Sequence, residues 1–140
     1  MRISNIFVAV DVLLFKEIDN CTFILLIKRK NMPFINSWAL PGGFVDKNED
    51  LEDAAKRELE EETQIKVKGL EQLKAFGKPF RDPRNHVVSI AFVGYVTSET
   101  EAFAGDDAKE AKWFSLKDLP KLAFDHDEII NFALLKLKTK

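Results

Sequence analysis

The chain has 140 residues, 46% of them apolar with 12 Phe, which is enough to fill the core of one compact unit and excludes global disorder. Lys and Arg number 21 against 23 Asp and Glu, a formal net charge of −2, so no basic excess marks a nucleic-acid backbone or an anionic membrane as partner. Cys21 is the lone cysteine, which excludes an intrachain disulfide and a thiolate metal cluster and points to a reducing, cytoplasmic setting.

Asp11 interrupts the N-terminal apolar run Ile3 to Val10, and no small-residue cleavage site follows it. The longest uncharged stretch, Asn85 to Ser98, falls short of the ~20 residues that span a bilayer. Residues 5–15 and 22–29 are short runs rich in β-branched and aromatic side chains, and they predict two paired strands. Between Met32 and Asp46 the chain is punctuated by Pro and Gly, and Leu40-Pro41-Gly42-Gly43-Phe44 predicts a tight bend. Asp50 to Gln64 holds no Pro or Gly and has acidic residues in its first turn, where the helix dipole favours them; it predicts a helix.

Residues 65–76 and 87–97 read as strands, joined by a rigid basic loop, 77–85, whose Pro79 and Pro83 forbid a regular element. An acidic loop over 99–110 leads to a short strand at 111–115. A second helix over 126–138 places Ile129, Ile130, Ala133, Leu134 and Leu137 on one face. Lys136, Lys138 and Lys140 read as its solvated end. No repeat or linker divides the chain, so residues 1–140 are expected to form a single layered α/β domain.

The first helix carries carboxylates on an unexpected face. At 100° per residue, Leu51, Ala54, Ala55, Leu59 and Ile65 define an apolar direction, from which Lys56, Glu60, Thr63 and Asp53 point away. Glu58 and Glu62 fall within about 20° of that apolar direction, and Glu61 about 80° from it. Burying an unpaired carboxylate costs several kcal/mol, so such groups share protons, pair with cations or bind metal. Spaced at i, i+3 and i+4, the three offer hard oxygen donors on adjacent turns, which suit Mg²⁺ or Mn²⁺.

The segment from Gly43 to Ile65 resembles the Nudix box, G-x5-E-x7-R-E-U-x-E-E-x-G-U, through Gly43, Glu49, Arg57, Glu58, Leu59, Glu61, Glu62 and Ile65; Gln64 stands where the motif has its second glycine. The resemblance implies a Nudix-type α/β/α sandwich with a mixed sheet. It implies a divalent metal held by Glu58, Glu61, Glu62 and the carbonyl of Gly42, with Arg57 and Glu49 as an orienting ion pair. It also implies hydrolysis of a nucleoside diphosphate linked to another moiety. Gln64 removes no ligand; it changes the end of the helix, where glycine would adopt a left-handed conformation without strain.

Trp38 to Val45, Arg81-Asp82-Pro83-Arg84 and Asp106 to Phe114 are similar to the ADP-ribose pyrophosphatase branch of that family. This similarity implies cleavage of ADP-ribose to AMP and ribose 5-phosphate, a small-molecule nucleotide substrate, and homodimers, which are common in the wider class. Alternatives are another nucleotide substrate or a non-hydrolytic ADP-ribose sensor. Arg29, Arg81 and Arg84 are candidate phosphate ligands, because a guanidinium fork matches phosphate oxygens. The general base stays open between the helix glutamates, Asp106, Asp107 and Glu110, and the adenine-stacking ring among Trp38, Phe80, Phe124 and others. His86 and His126 have no Ser or Cys visibly paired with them and read as structural.

Overall fold

The computed structural model describes residues 3–138, so Lys140 of the expected solvated end lies outside the described residues. Strand β1, Ile6–Ile18, turns back into β2, Cys21–Arg29, through Asp19 and Asn20. Both turn residues have positive φ (50° and 66°), the backbone that matches the twist of a two-residue hairpin. Two short strands follow, β3 (Trp38–Ala39) and β4 (Gly42–Phe44), then helix α1 (Leu51–Thr63), β5 (Glu71–Phe76), β6 (His86–Tyr95), β7 (Ala108–Ser115) and helix α2 (His126–Lys138).

The strands form one mixed sheet in the order β3-β2-β1-β6-β5, with β4 added to β1 and β7 to β2. β1 and β6 run parallel from Ile6↔His86 to Phe15↔Tyr95, while β1 meets β4 along its first half and β2 along its second. Alternation along β1 sends Val10, Val12 and Leu14 to α1, where Ala54, Ala55 and Leu59 meet them. Leu13 and Phe15 face α2 and meet Ile129, Ile130 and Ala133. Covered on both faces, β1 and β2 read as unbroken apolar runs rather than alternating ones, and the sandwich expected from the sequence is the observed architecture.

Three details depart from expectation. The bend expected over Leu40 to Phe44 is confined to Pro41, between β3 and β4: Gly42 and Gly43 lie in β4, opposite Asp11 and Val10, and among the described residues no glycine has a positive φ. Their bare Cα atoms serve close approach instead. A Cβ on Gly42 would meet the Val10 carbonyl at 2.1 Å, and one on Gly43 would meet Glu58 Oε2 at 2.1 Å. The strand expected at 65–76 starts at Glu71, since Ile65 and Leu70 turn into the α1 layer, and β7 begins at Ala108 rather than 111. Thr63, expected on the solvent side of α1, is fully buried beneath the 99–107 segment, whose Phe103 N–H donates to its carbonyl (3.0 Å).

Candidate functional site

Asp50 starts α1: its backbone is extended and its carboxylate accepts from the Leu51 N–H (2.7 Å). The helix face then falls as the angles predict, with Glu58 and Glu62 buried and Glu61 exposed. Arg57 and Glu49 form the expected pair through Nε to Oε2 (2.6 Å) and an η nitrogen to Oε1 (2.9 Å). The same guanidinium donates to the Phe44 carbonyl (3.1 Å) and lies 3.4 Å from Glu58 and 3.2 Å from Glu61, tying the loop before α1 to the acidic face. Hydrogen bonds from Arg57 hold Glu49 below the usual carboxylate range.

Glu58, Glu61 and Asp107 each bring a carboxylate oxygen within 4.8 Å of the others. Beside them, Glu62 Oε1 accepts from the Gly42 N–H (2.7 Å), joining α1 to β4. Among the described residues Arg57 is the cation within ion-pair distance of this set, and Glu49 already claims its strongest contacts. Burial, with Glu61 and Asp107 nearby and only Arg57 opposing, pushes the Glu58 carboxyl up to about 7. Burial also raises Glu62 well above its ordinary value, against the Gly42 hydrogen bond and with the charges of Glu58, Asp11 and Asp107. Hard oxygen donors in excess of cations, gathered within bridging distance, fit a divalent ion of the Mg²⁺ type.

Asp107 reaches the cluster; Glu110 does not. Three residues further on, Glu110 lies within β7 opposite Lys28, whose Nζ stands 3.5 Å from its carboxylate on the exposed sheet edge. Asp106 directs its backbone carbonyl to Lys30 Nζ (3.1 Å).

Two cavities flank β4. One reaches Glu58 and Asp107, the other reaches Asp11, Arg81, Arg84 and Phe124; they share Ile27, Arg29, Gly42, Gly43, Phe44 and Glu62 and so adjoin as the two ends of one cleft region. The three arginines in its wall differ. The Arg81 side chain is 4% exposed and donates to both oxygens of Asp125 (2.9 and 2.7 Å), with Asp11 at 3.9 Å, so its charge belongs to the scaffold. Arg84 is paired two-pronged with Asp82 (3.0 and 2.7 Å) and lies 5.0 Å from the Phe44 ring and 5.6 Å from the Phe124 ring. Arg29 donates to the Pro33 carbonyl (2.7 Å) and lies 4.9 Å from the Phe124 ring. It has no carboxylate within ion-pair distance among the described residues, and burial with Arg84 nearby lowers its pKa, leaving a cation ready for an anion.

Beneath the cleft lies a buried polar chain. Ser89 Oγ donates to Asp11 Oδ2, His126 Nε2 lies 3.3 Å from Asp11 Oδ1, and His126 Nδ1 accepts from the Leu40 N–H (3.0 Å). That last bond fixes the neutral tautomer with its proton on Nε2, and burial holds the imidazole below its ordinary pKa. His126 thus joins the Leu40 backbone to Asp11 in the wall of the cleft, while His86 bonds to the Gly77 carbonyl (2.9 Å). Of the expected stacking rings only Phe124 lines the cleft. Trp38 packs on Phe114 (4.8 Å) in the α2 layer, and Phe80 is 94% exposed. Asp11 is a cleft residue that the motifs do not mark, and its one sequence signal is that it is a single acid inside an apolar strand; Asp125, which takes Arg81, is likewise outside the motifs.

Gln64 takes the left-handed conformation (φ 62°, ψ 18°) at the end of α1, which costs a residue with a Cβ about 1 kcal/mol. The helix therefore ends in the geometry a motif glycine would supply.

Fold and site together define an α/β/α protein whose acidic helix can hold divalent cations at one end of an arginine-lined cleft. A sequence model of the NUDIX domain matches residues 6–132. An ADP-ribose pyrophosphatase of Methanocaldococcus jannaschii is 55% identical over 125 residues, covering 88% of this chain and 70% of that protein. The ADPR responsive transcriptional repressor NtrR of Acinetobacter baylyi is 35% identical over 135 residues, 94% of this chain but 54% of the repressor, so the chain spans about half of that relative. The NUDIX domain of Shewanella oneidensis NrtR, solved in complex with ADP ribose, superposes with a TM-score of 0.88 at 33% identity, covering 96% of this chain and 90% of that one. The chain belongs to the Nudix family.

Proposed function

We propose that the chain is a Nudix pyrophosphohydrolase that cleaves ADP-ribose to AMP and ribose 5-phosphate, using Mg²⁺ or Mn²⁺ held by Glu58, Glu61, Glu62, Asp107 and the carbonyl of Gly42. The observation that carries this reading is the wall the two cavities share: Arg29, Phe44 and Glu62 stand between Glu58 and Asp107 of the carboxylate cluster on one side and the Phe124 ring on the other. A diphosphate flanked by a nucleoside needs both ends of such a cleft. The similarity to the M. jannaschii pyrophosphatase and to the ADP-ribose-bound domain supports the substrate.

When bound, the divalent ion neutralises the diphosphate and polarises it toward attack. Arg29 grips a phosphate oxygen, since its guanidinium is the one in the cleft wall without an acidic partner among the described residues. Arg84, fixed by Asp82, stiffens the wall and covers the aromatic rings that face the base. Arg81 holds the floor through Asp125 and Asp11. Arg57 orients Glu58 and Glu61 while Glu49 anchors it. An attacking water must lose a proton, and a carboxylate of the cluster not engaged by the ion would accept it; of the three loop acids considered, Asp107 is the one in that cluster.

A cytoplasmic homodimer without nucleic-acid partners completes the reading. The lone Cys21 and the net charge of −2 support the setting and the absence of a nucleic-acid partner, and the exposed Ile6, Phe7 and Val8 support self-association. Among the described residues no helix is long and apolar enough to cross a membrane. Turnover of ADP-ribose, NADH and nucleoside triphosphates is to be compared with Mg²⁺ and with Mn²⁺, products being identified by chromatography. AMP and ribose 5-phosphate should appear fastest from ADP-ribose. Equal rates across the panel would refute the substrate, and tight ADP-ribose binding without product would refute the enzyme in favour of a sensor.

A further inference from the structure

Asp107 is the cluster member that does not come from α1, and its position needs a cause. Its own carboxylate makes no hydrogen bond or ion pair among the described residues, so the backbone around it must set its place. That backbone is seated on the end of α1 at three successive residues. Phe103 N–H donates to the Thr63 carbonyl (3.0 Å), Gly105 N–H donates to the Glu62 carbonyl (3.0 Å), and between them the Ala104 carbonyl accepts from Gln64 Nε2 (3.0 Å). The two backbone bonds satisfy carbonyls that a helix end leaves open. The third is made by a side chain, at the position where the Nudix motif has glycine.

A glycine at 64 would adopt the same left-handed backbone with less strain, and its N–H would still reach the Glu60 carbonyl, as the Gln64 N–H does at 2.8 Å. It could not reach Ala104. Retaining a strained residue with a long amide side chain therefore has a visible return only in the loop it holds. We propose that Gln64 is a positioning residue: its side-chain amide tethers the 99–107 segment to the end of α1, so that Asp107 meets Glu58 and Glu61. The inference rests on reading the cluster as a divalent-cation site, and it needs no particular substrate.

The test uses the full chain with Mn²⁺ as probe, free Mn²⁺ being read by electron paramagnetic resonance without substrate, together with amide hydrogen exchange over 103–107. Gln64→Gly removes strain and tether; Gln64→Met keeps length and strain but loses the donor. Both should weaken Mn²⁺ binding by about fivefold, the equivalent of one hydrogen bond, and speed exchange in the segment, while Gln64→Gly melts no lower than the parent. In an Asp107→Asn background, Gln64→Gly should weaken Mn²⁺ no further. Unchanged affinity in Gln64→Gly, or an equal loss with and without Asp107, overturns the tether while leaving the cation site standing. A parent protein that binds no Mn²⁺ overturns both.

Discussion

Gly105 offers the sharpest test of how the 99–107 segment is seated. A Cβ built on it would stand 1.8 Å from the Glu61 carbonyl oxygen, whereas real Cβ contacts under 3.0 Å are essentially never seen. Both atoms belong to backbone or lie next to it, so no side chain can swing aside. Gly105→Ala must therefore lift the segment from the helix end by more than an ångström. That displacement takes the Gly105 N–H to Glu62 bond and the Gln64 to Ala104 bond, both 3.0 Å, out of range. At about 1 kcal/mol each, the loss is roughly 2 kcal/mol, or a fall in melting temperature of about 6–8 °C for a chain of this size. A shift of that length at Asp107 should also lower kcat by about a hundredfold. Gly69→Ala is the control. Its Cβ would meet only Glu52 Oε2, at 3.5 Å, and its φ is not positive, so it should melt within a degree of the parent or slightly higher. Thermal melts by circular dichroism and initial rates at saturating Mg²⁺ make the comparison. If Gly105→Ala melts with Gly69→Ala and keeps half its activity, the segment is not packed as described.

Glu62→Gln should lower kcat by about a hundredfold or more while the metal-free protein melts as high as the parent or higher, because the amide oxygen can still accept from Gly42 and no charge is buried; steady-state kinetics and melts are the measurements, and near-normal turnover would count against the cluster. Arg29→Ala should raise KM for a diphosphate about tenfold with a smaller change in kcat, whereas Arg81→Ala should cost about 3 kcal/mol of stability by stranding buried Asp11 and half-buried Asp125; urea titrations and Michaelis plots distinguish the two, and an Arg29 effect on folding alone would sink its assignment. His126 makes stability depend on pH. Its folded pKa lies below the unfolded 6.5, so the unfolded chain takes up the proton first, and stability falls as pH drops below 6.5 toward the folded value. Asp11 and Asp125 oppose that shift, and Arg81 and Arg29 add to it. His126→Gln, which can still accept from Leu40, should lose less stability between pH 7 and pH 5 than the parent; equal slopes would show that another group carries the dependence.

The two helices and the long strands were legible because each is a local pattern: apolar runs for β1, β2 and β6, a capped run without Gly or Pro for α1, a single apolar face for α2. Glu58 and Glu62 were legible for the same reason, since an angle on one helix needs no knowledge of what covers it. β3 and β4 are too short to carry a period, and the role of Gly42 and Gly43 is set by Val10 and Glu58, residues distant along the chain that pack against them. Arg81 and Arg84 sit on the same stiff loop; Asp82 is Arg84's near neighbour, but nothing local tells that Asp125, 44 residues on, takes Arg81. Thr63 lies on the side of α1 away from the sheet and is buried all the same, because the 99–107 segment, distant in sequence, covers α1 from its end.

The balance of charge at the cleft follows from how these pieces are shared. Arg57 is bound most closely to Glu49, which lies in the loop, and only secondarily to Glu58 and Glu61. Its work is thus to orient α1 against the loop, and the carboxylates of the cluster remain in surplus. Gly43 has no side chain, and that gap is what the Glu58 carboxylate fills. Across β4, Asp82, Asp125 and Asp11 cancel two of the three arginines and leave Arg29 uncancelled. Surplus negative charge at one end of the cleft and an unpaired cation beside it suit a divalent ion and a polyanion that arrive together, and neither end is fully neutralised without the other.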